Sequence, residues 1–469
     1  MNSEFRQLFL DDEGIGRIEG LERVLNEPDR HPDNPLLEPD TPWERGCQVY
    51  GTALYDEADQ LFKLYYLTGP KDRGLKPLEL PGGHVRAPHT TLAAYAISKD
   101  GIEWEKPALG QFPYDGDTQN NLLNIGRHNC EGIEVLNEPD DPDPYRRWKA
   151  FYWDHGSGGY EVRDGGHFCK AGPEDGAHIA FSPDGLHWKP YGGNPVIPKY
   201  CDTNQNALYD PQLKKYVAFS RFGFGRRLAR SESEDFMHWS EPELVLECDE
   251  DDGEGTQIYG AGVDIYEGLY LAMVWIYREG IDGKINTQLA ASRDGFHWTR
   301  AGGRATWLKL GDDDGWEGGM VRSVARIIPR GDRLYIYYCG VHGAHTGPKF
   351  KKVERKHPVC TGLVTQRRDG FVSLDAGGQP GSVLTKAFVL PEGKLHINAD
   401  ASAGSLELAF CDRSGRPLEG FESSQAISID TTDSTVRWLG SNLDSLCGRT
   451  VCLRFTIHQG KLFSYWFST

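Results

Sequence analysis

Hydrophobic and polar positions alternate along most of this chain, in short runs that are separated by turn residues. A period of two is typical of half-buried β-strands. Five runs rich in aromatic and β-branched residues recur at long intervals, and we interpret each as the second strand of a repeated unit: residues 61–66, 147–153, 215–220, 269–275 and 333–338. The pattern predicts an all-β protein.

A short turn motif follows each of these runs. Four copies have the form Ser-x-Asp, a turn residue, two further residues and Trp: residues 98–104, 182–188, 233–239 and 292–298. A degenerate copy occupies 367–373. The Asp side chain can accept from the backbone two residues on, and Gly tolerates the left-handed conformation, so each copy predicts a tight turn. We expect the Trp to anchor the outer strand between neighbouring units.

Five such units predict a five-bladed β-propeller over residues 41–375, with blades that begin near 41, 115, 200, 254 and 315. The motif is absent after about residue 375, where short alternating strands continue to the end of the chain. Residues 380–469 therefore predict a β-sandwich beside the propeller. Residues 1–40 are expected to contribute a lead-in strand near Leu8 and a proline-rich extended segment.

Composition excludes several classes of function. The formal net charge of −18 opposes binding to nucleic acid, whose phosphates attract cations. No apolar run approaches the roughly 18 residues of a membrane span, and no secretory signal is visible, so a cytoplasmic location is expected. The ten cysteines form no Cys-x-x-Cys pair and are expected to be ordinary buried thiols. No cofactor is expected, and the oligomeric state is not predicted.

In a propeller, residues just before the innermost strand of each blade converge on the central channel. A carboxylate, or an amide beside one, precedes that predicted strand in every unit. In the second unit, the predicted strand begins at Leu122. We predict Glu44, Asp202 and Glu317 as the catalytic carboxylates, facing one shared pocket. The remaining candidates would bind substrate: Trp43, Asp117, Asn120, Asn121, Arg221, Glu254, Tyr259, Trp316, His342 and His345.

This combination suits the cleavage of a glycosidic bond. One carboxylic acid protonates the leaving oxygen, while a second carboxylate attacks the anomeric carbon or activates water. Aromatic faces and amides hold the sugar. Crowding of carboxylates also raises the pKa of at least one of them, which keeps an acid protonated near neutral pH. A carbohydrate is therefore the expected partner.

Weaker signals concern histidines and arginines. His342 and His345 could hold a sugar hydroxyl at the channel mouth, but without a third ligand they predict no metal site. His84 and His89 could belong to a loop over the substrate, and Arg221, with the nearby arginines 226 and 227, would suit an anionic sugar.

The turn at 233–242 resembles those of the five-bladed glycosidases, glycoside hydrolase families 32 and 43 and their neighbours, many of which append a β-sandwich. The resemblance implies a divergent glycoside hydrolase, since the Asn-Asp-Pro-Asn and Arg-Asp-Pro signatures of fructan-cleaving members are missing. It also implies three acids on the first three blades, of which Glu44 and Asp202 match two by position. The alternatives are a glycoside phosphorylase on the same fold and a non-catalytic glycan-binding propeller.

Overall fold

The computed structural model describes residues 6–71, 76–79, 85–87, 90–163, 166–346 and 355–468. Their regular structure is almost entirely β, so the all-β prediction is confirmed. Short 3-10 helices connect some of the strands: Pro144–Arg146, Glu250–Asp252, Ala301–Arg304 and Leu443–Leu446. In the described ranges, no helix has the length and apolar character that crossing a bilayer requires.

Four short strands open the chain and pair with strands far away in sequence. Their bounds are β1 Gln7–Leu8, β2 Ile15–Glu19, β3 Glu22–Leu25 and β4 Asp29–Arg30. The first three join sheets formed by the end of the chain, whereas β4 joins a sheet of the middle region. Leu8, Phe9 and Leu10 are buried, so this end of the chain packs into the core rather than exposing an apolar patch.

Five antiparallel sheets follow in chain order. Sheet 1 contains β5 Gln48–Asp56, β6 Leu61–Thr68 and β9 Leu92–Ser98, beside a small hairpin of β7 Leu78–Glu79 and β8 Val85–Arg86. Sheet 2 contains β10 Glu131–Asn137, β11 Trp148–Asp154, β14 Gly176–Ser182 and β15 Lys189–Pro190, beside a hairpin of β12 Tyr160–Arg163 and β13 Gly166–Cys169. Sheet 3 contains β16 Asn206–Asp210, β17 Lys215–Ser220, β18 Leu228–Ser233 and β19 Glu243–Leu246.

The next two sheets are joined by a single parallel pairing between Ile285 and Met320. Sheet 4 contains β20 Thr256–Tyr266, β21 Leu269–Arg278, β22 Ile285–Ser292, β23 Thr299–Arg300 and β24 Thr306–Leu308. Sheet 5 contains β25 Met320–Ser323, β26 Ile328–Arg330, β27 Arg333–Val341 and β28 Cys360–Arg367, with β4 at its outer edge.

The five sheets contact one another in a cycle. The first strand of each sheet touches the first strand of the next, in the order β5, β10, β16, β20 and β25, and β5 also touches β27 and β28 of sheet 5. The motif tryptophans follow the same cycle, because each packs on an aromatic residue of the preceding sheet. The pairs are Trp104 with Tyr337, Trp188 with Tyr65, Trp239 with Phe151 and Trp298 with Phe219.

The four intact motifs form the turns that their residues predict. In the first, Asp100 accepts from the backbone N–H groups of Ile102 and Glu103 at 2.8 and 2.9 Å. The Ser98 hydroxyl donates to the same carboxylate at 2.8 Å and accepts from the N–H of Gly101. Asp184, Asp235 and Asp294 make the equivalent bonds. A local side-chain bond therefore specifies each turn.

A buried charge cluster lies where the five sheets meet. Arg326, which follows β25, pairs with Glu134 of β10 at 3.0 Å and with Asp264 of β20 at 3.2 Å. The Thr52 hydroxyl of β5 donates to Glu134, and Arg326 donates to the carbonyl of Ala207 in β16. Each of the five sheets thus contributes one partner, and we call these five residues the central cluster.

The end of the chain forms two further sheets. Their strands are β29 Val372–Ala376, β30 Gly381–Thr385, β31 Phe388–Val389, β32 Lys394–Asp400, β33 Ser405–Cys411, β34 Asp430–Thr435, β35 Thr450–His458 and β36 Gly460–Ser468. One sheet orders β3, β29, β36, β32 and β34, with β1 on β36. The other orders β2, β30, β35 and β31, with β33 on β35.

The degenerate fifth motif has a different role from the other four. Its Asp369 has a positive φ of 60° and is almost wholly buried. The carboxylate accepts from the hydroxyls of Tyr266 in sheet 4 and Ser464 in β36, both at 2.6 Å, and pairs with Arg6 at 2.9 Å. Asp369 therefore links the final sheets to the cycle of five.

Candidate active site

A cavity of about 560 Å³ opens beside the first strands of the five sheets. All five contribute to its wall, directly or through the residues that precede them. The polar and aromatic residues that line it include Arg45, Tyr50, Thr91, Glu131, Asp202, Tyr259, Arg322, His345 and Arg355. The volume lies within the usual range of small-molecule sites.

Two carboxylates line this cavity, Glu131 and Asp202. Glu131 is the first residue of β10, and its side chain is 28% exposed. It accepts a hydrogen bond from the Thr91 hydroxyl at 3.1 Å, and Nε2 of His155 lies 3.8 Å from the carboxylate. Asp202 precedes β16, keeps 49% of its side chain exposed, and lies 3.4 Å from the guanidinium of Arg221.

The surroundings move the pKa values of these two acids in opposite directions. Partial burial raises the pKa of Asp202; the charge of Arg221 opposes that rise and the charge of Glu131 adds to it. Burial also acts to raise the pKa of Glu131, but the nearby His155, the hydrogen bond from Thr91 and the charge of Arg45 together outweigh it, so that pKa is lowered. The cavity therefore favours an ionised Glu131 beside a more readily protonated Asp202.

Tyr259 and His345 form the neighbouring wall, as the sequence predicts for residues at the channel. The Tyr259 hydroxyl lies 3.0 Å from Nε2 of His345, and Nδ1 of His345 is buried without a partner among the described residues. Burial and four nearby arginines lower the pKa of His345 to about 4, so the imidazole is neutral at neutral pH. Arg221 donates twice to the Tyr259 carbonyl, which fixes the guanidinium beside Asp202.

A cationic wall, Arg45, Arg322 and Arg355, faces the same cavity. Arg322 is 5% exposed, lies over the Tyr50 ring at 4.3 Å, and donates to the Tyr50 hydroxyl and to Sγ of Cys339. Its Nε is buried and has no hydrogen-bond partner among the residues that the structure describes. Across the described ranges, no ion pair joins any of these three arginines to a carboxylate.

The structure does not bring Glu44 to this cavity, which corrects the predicted convergence. Glu44 is fully buried and accepts from the Tyr66 hydroxyl at 2.5 Å and from Lys106 at 2.8 Å. Its carboxylate is thus occupied by an internal ion pair. The prediction failed because Lys106, 62 residues away in sequence, neutralises Glu44 inside the fold.

Trp43, Asn120 and Asn121 lie beside Glu44 and border a separate recess. The Trp43 indole donates to Asn121 at 2.9 Å, and the Asn121 amide donates to the Tyr66 hydroxyl and to a backbone carbonyl. Asn120 is bonded to its own loop. These side chains hold loops together and do not line the cavity that contains Asp202. Any contact that they make with a sugar would lie outside that cavity.

Glu317, Trp316 and His342 also lie away from the cavity wall. Glu317 is buried and pairs with Arg30 at 2.7 Å, while Trp316 packs on Tyr338 at 5.6 Å. His342 donates from Nδ1 to the Gly315 carbonyl at 2.9 Å. The prediction of a shared pocket for Glu44, Asp202 and Glu317 is therefore wrong in two of its three members.

The other predicted residues are scattered. Asp117 is an exposed turn residue that accepts from the Gln119 N–H, and Glu254 is exposed just before β20. Neither lines the cavity. Arg226 pairs with Glu279 at 2.8 Å, and Arg227 pairs with Glu247 at 3.0 Å. His84 and His89 lie outside the described residues.

Glu131 was missed because the first strand of sheet 2 begins later than predicted. We expected that strand at Leu122, but residues 121–123 bond to β9 and extend sheet 1, through the N–H of Tyr95 and of Leu123. The inner strand begins at Glu131. We searched for a carboxylate at the start of each inner strand. This search would have found Glu131 if the first strand of sheet 2 had been predicted at its actual position.

The arrangement can perform acid–base chemistry on a ligand in the cavity. Asp202 can supply a proton, the ionised Glu131 can attack or activate a nucleophile, and Tyr259 with His345 can bond to hydroxyl groups.

No family model and no curated protein matches the chain. Solved structures similar to it include an N-acetylgalactosamine deacetylase from F. plautii in complex with blood group B trisaccharide, at 13% identity and a TM-score of 0.45, covering 78% of this chain and 94% of that one. A beta-1,2-mannobiose phosphorylase from Listeria innocua is similar at 13% identity and a TM-score of 0.48, covering 72% and 96%. The catalytic domain of an α-L-arabinofuranosidase from Coprinopsis cinerea is similar at 14% identity and a TM-score of 0.44, covering 73% and 98%.

Glycan-acting enzymes are among the solved structures to which the chain is similar. Similarity this low assigns no activity and no site residue to this chain.

Proposed function

We propose that this protein is a glycoside-cleaving enzyme built on a five-bladed β-propeller, with a β-sandwich formed mainly by residues 380–469. The cyclic contacts of the five sheets and the cyclic packing of the motif tryptophans support five blades. The two final sheets, which the N-terminal strands β1, β2 and β3 complete, support the sandwich. The central cluster would close the channel beneath the cavity, leaving a site suited to a small glycan or a chain end.

In this proposal Asp202 is the general acid and Glu131 is the nucleophile or base. The observation that carries it is the presence of both carboxylates on one cavity with pKa values moved apart. An acid that holds its proton beside an ionised carboxylate is what glycosidic cleavage requires. Asp202 would protonate the leaving oxygen as Glu131, or a water that it activates, bonds to the anomeric carbon.

Five further side chains would support that step. Arg221 would position Asp202, because its guanidinium is fixed by two bonds to the Tyr259 carbonyl. Tyr259 and the neutral His345 would bond to sugar hydroxyls. Thr91 and His155 would keep Glu131 ionised and oriented.

The proposal is tested by screening aryl glycosides and oligosaccharides with reducing-end detection, followed by kinetics of variants on the first substrate found. Asp202→Asn and Glu131→Gln should each lower turnover by at least ~10²-fold, which is typical of positioned acid–base groups. Glu254→Gln is the matched control, since it makes the same chemical change at an exposed carboxylate away from the cavity. Its turnover should equal that of the wild type.

Near-wild-type turnover in both cavity variants would refute these assignments. Binding of glycans without release of sugar from any substrate would favour the non-catalytic alternative. The phosphorylase alternative requires the cavity to bind phosphate, an oxyanion, and the cationic wall is the part of the cavity that could bind it.

A further inference from the structure

The cationic wall is the feature of the cavity that hydrolysis of a neutral glycan leaves unexplained. Arg45 lies before β5, Arg322 lies in β25 and Arg355 lies before β28, so three distant segments bring guanidinium groups to one wall. Several arginines elsewhere in the fold pair with acids, as Arg326 does in the central cluster, while the buried Arg86 donates to backbone carbonyls. An unpaired guanidinium group in such a wall is available to a ligand.

The charges on this wall repel one another. Arg355 and Arg45 are exposed residues whose guanidinium groups face the cavity. Partial desolvation lowers the pKa of Arg355, and the charge of Arg322 lowers it further. Partial desolvation also lowers the pKa of Arg45, and Glu131 is the acid that opposes this effect. Because like charges destabilise each other in a partly desolvated site, an added negative group would relieve the repulsion.

Arg322 is the buried member of the wall. It is 95% buried, as its exposure of 5% implies, yet its Nε has no partner in the part of the chain described. The Tyr50 ring and Cys339 hold the guanidinium in place. A buried donor without a partner is unfavourable, so a ligand that accepts hydrogen bonds from the wall gains from bonds that the protein does not make for itself.

We infer that Arg45, Arg322 and Arg355 bind an oxyanion group of the substrate. A planar guanidinium matches both carboxylate and phosphate, with two parallel hydrogen bonds to each. This inference rests on the proposed function and deepens it, because it defines the substrate class as anionic. The oxyanion can come from two sources: the carboxylate of a uronic acid unit, or an inorganic phosphate that takes the place of water.

The phosphate source changes the reaction in a defined way. A phosphate oxygen bonds to the anomeric carbon as the glycosidic C–O bond breaks, and Asp202 gives its proton to the leaving oxygen. The hydrogen phosphate supplies the proton that restores Asp202, so the products are a sugar 1-phosphate and the free alcohol. With a uronic acid, the carboxylate is a spectator that the wall holds while water is the acceptor.

Binding is measured first, because it does not require turnover. Isothermal titration of the full chain with inorganic phosphate, glucuronate, galacturonate and uncharged glucose separates the two sources. We expect phosphate or a uronate to bind more tightly than glucose, with an affinity that falls as salt rises. Arg45→Met and Arg355→Met should each weaken that binding at least ~10-fold, the loss expected for a charge-assisted hydrogen bond.

Arg416→Met is the matched control, since Arg416 is 82% exposed and pairs locally with Asp412. It should bind the anion as the wild type does. Arg322→Lys keeps the positive charge but loses the planar guanidinium with its two parallel donors. It therefore tests the buried arginine of the wall with less risk to folding. Equal binding of phosphate, uronates and glucose, or equal effects of Arg45→Met and Arg416→Met, would overturn the inference.

The test of the oxyanion site can fail or succeed independently of the test of the proposed function. Release of sugar that requires phosphate assigns the phosphate source, whereas cleavage of uronides without phosphate assigns the carboxylate. Anion binding that depends on Arg45 and Arg355, combined with full turnover in Glu131→Gln and Asp202→Asn, would refute the catalytic assignment and leave the oxyanion site standing. Cleavage of neutral glycans by the Asp202 and Glu131 pair, with no anion binding, would do the reverse.

Discussion

The central cluster predicts how stability depends on pH. It holds two buried carboxylates, Glu134 and Asp264, and a single compensating cation, Arg326. One negative charge is therefore in excess. Burial raises the pKa of Glu134 from its ordinary value of 4.5 to about 7, although Arg326 and the hydroxyl of Thr52 oppose the rise. Glu134 is thus the group that takes up the excess proton.

The sign of the effect follows from the direction of the shift. The folded protein binds a proton at Glu134 between pH 4.5 and 7 that the unfolded chain does not bind. This contribution to stability is complete below pH 4.5 and is lost as pH rises through 7. A shift of this size corresponds to about 2 to 3 kcal/mol of unfolding free energy between pH 5 and 8.5.

Glu134→Gln removes the titration and keeps the shape of the side chain. Urea unfolding of wild type and variant, measured from pH 5 to 8.5, gives the difference between them and cancels other titrating groups. We expect the wild type to be as stable as the variant or more so at pH 5, and to lose about 2 to 3 kcal/mol relative to it by pH 8.5. A difference that does not change with pH would refute the assignment of the proton to Glu134.

Three further predictions concern the link between sheets and the cavity. Asp369→Ala removes the shared acceptor of Tyr266 and the final sheets, and should lower the free energy of unfolding by about 3 to 5 kcal/mol in urea titration; a loss under 1 kcal/mol would contradict its role as a link. Glu44→Gln should lower the melting temperature, because Lys106 loses its buried partner, while turnover is unchanged; a loss of turnover with an unchanged melting temperature would return Glu44 to the catalytic residues. The pH profile of turnover should rise as Glu131 ionises and fall as Asp202 loses its proton; an alkaline limb that persists in Asp202→Asn would show that another group is the acid.

The turn motifs were predictable because the interactions that make them are local. The Asp100 carboxylate accepts hydrogen bonds from the N–H groups of Ile102 and Glu103, which lie within three residues of it. Such bonds form wherever the motif occurs, whatever surrounds it. The alternation of apolar and polar residues fixed the all-β class for a similar reason, since it depends only on the two faces of each strand.

The sequence also located Asp202 and Tyr259 at the cavity, because the start of an inner strand could be recognised from the repeat. It failed for sheet 2, where residues 121–123 have the same apolar pattern as an inner strand but bond to β9 instead. Local pattern does not distinguish an inner strand from an outer one. Only the observed strand pairing shows that the first strand of sheet 2 begins at Glu131.

The tertiary structure decided which carboxylates are free to act. Glu44, Glu317 and Asp202 occupy similar positions in the repeat, but Lys106 and Arg30 bind the first two from distant segments. Composition cannot show such pairing, since it depends on which side chains the fold brings within a few ångströms. The sequence by itself determined the strands and their turns, and long-range contacts determined the charges that remain at the cavity.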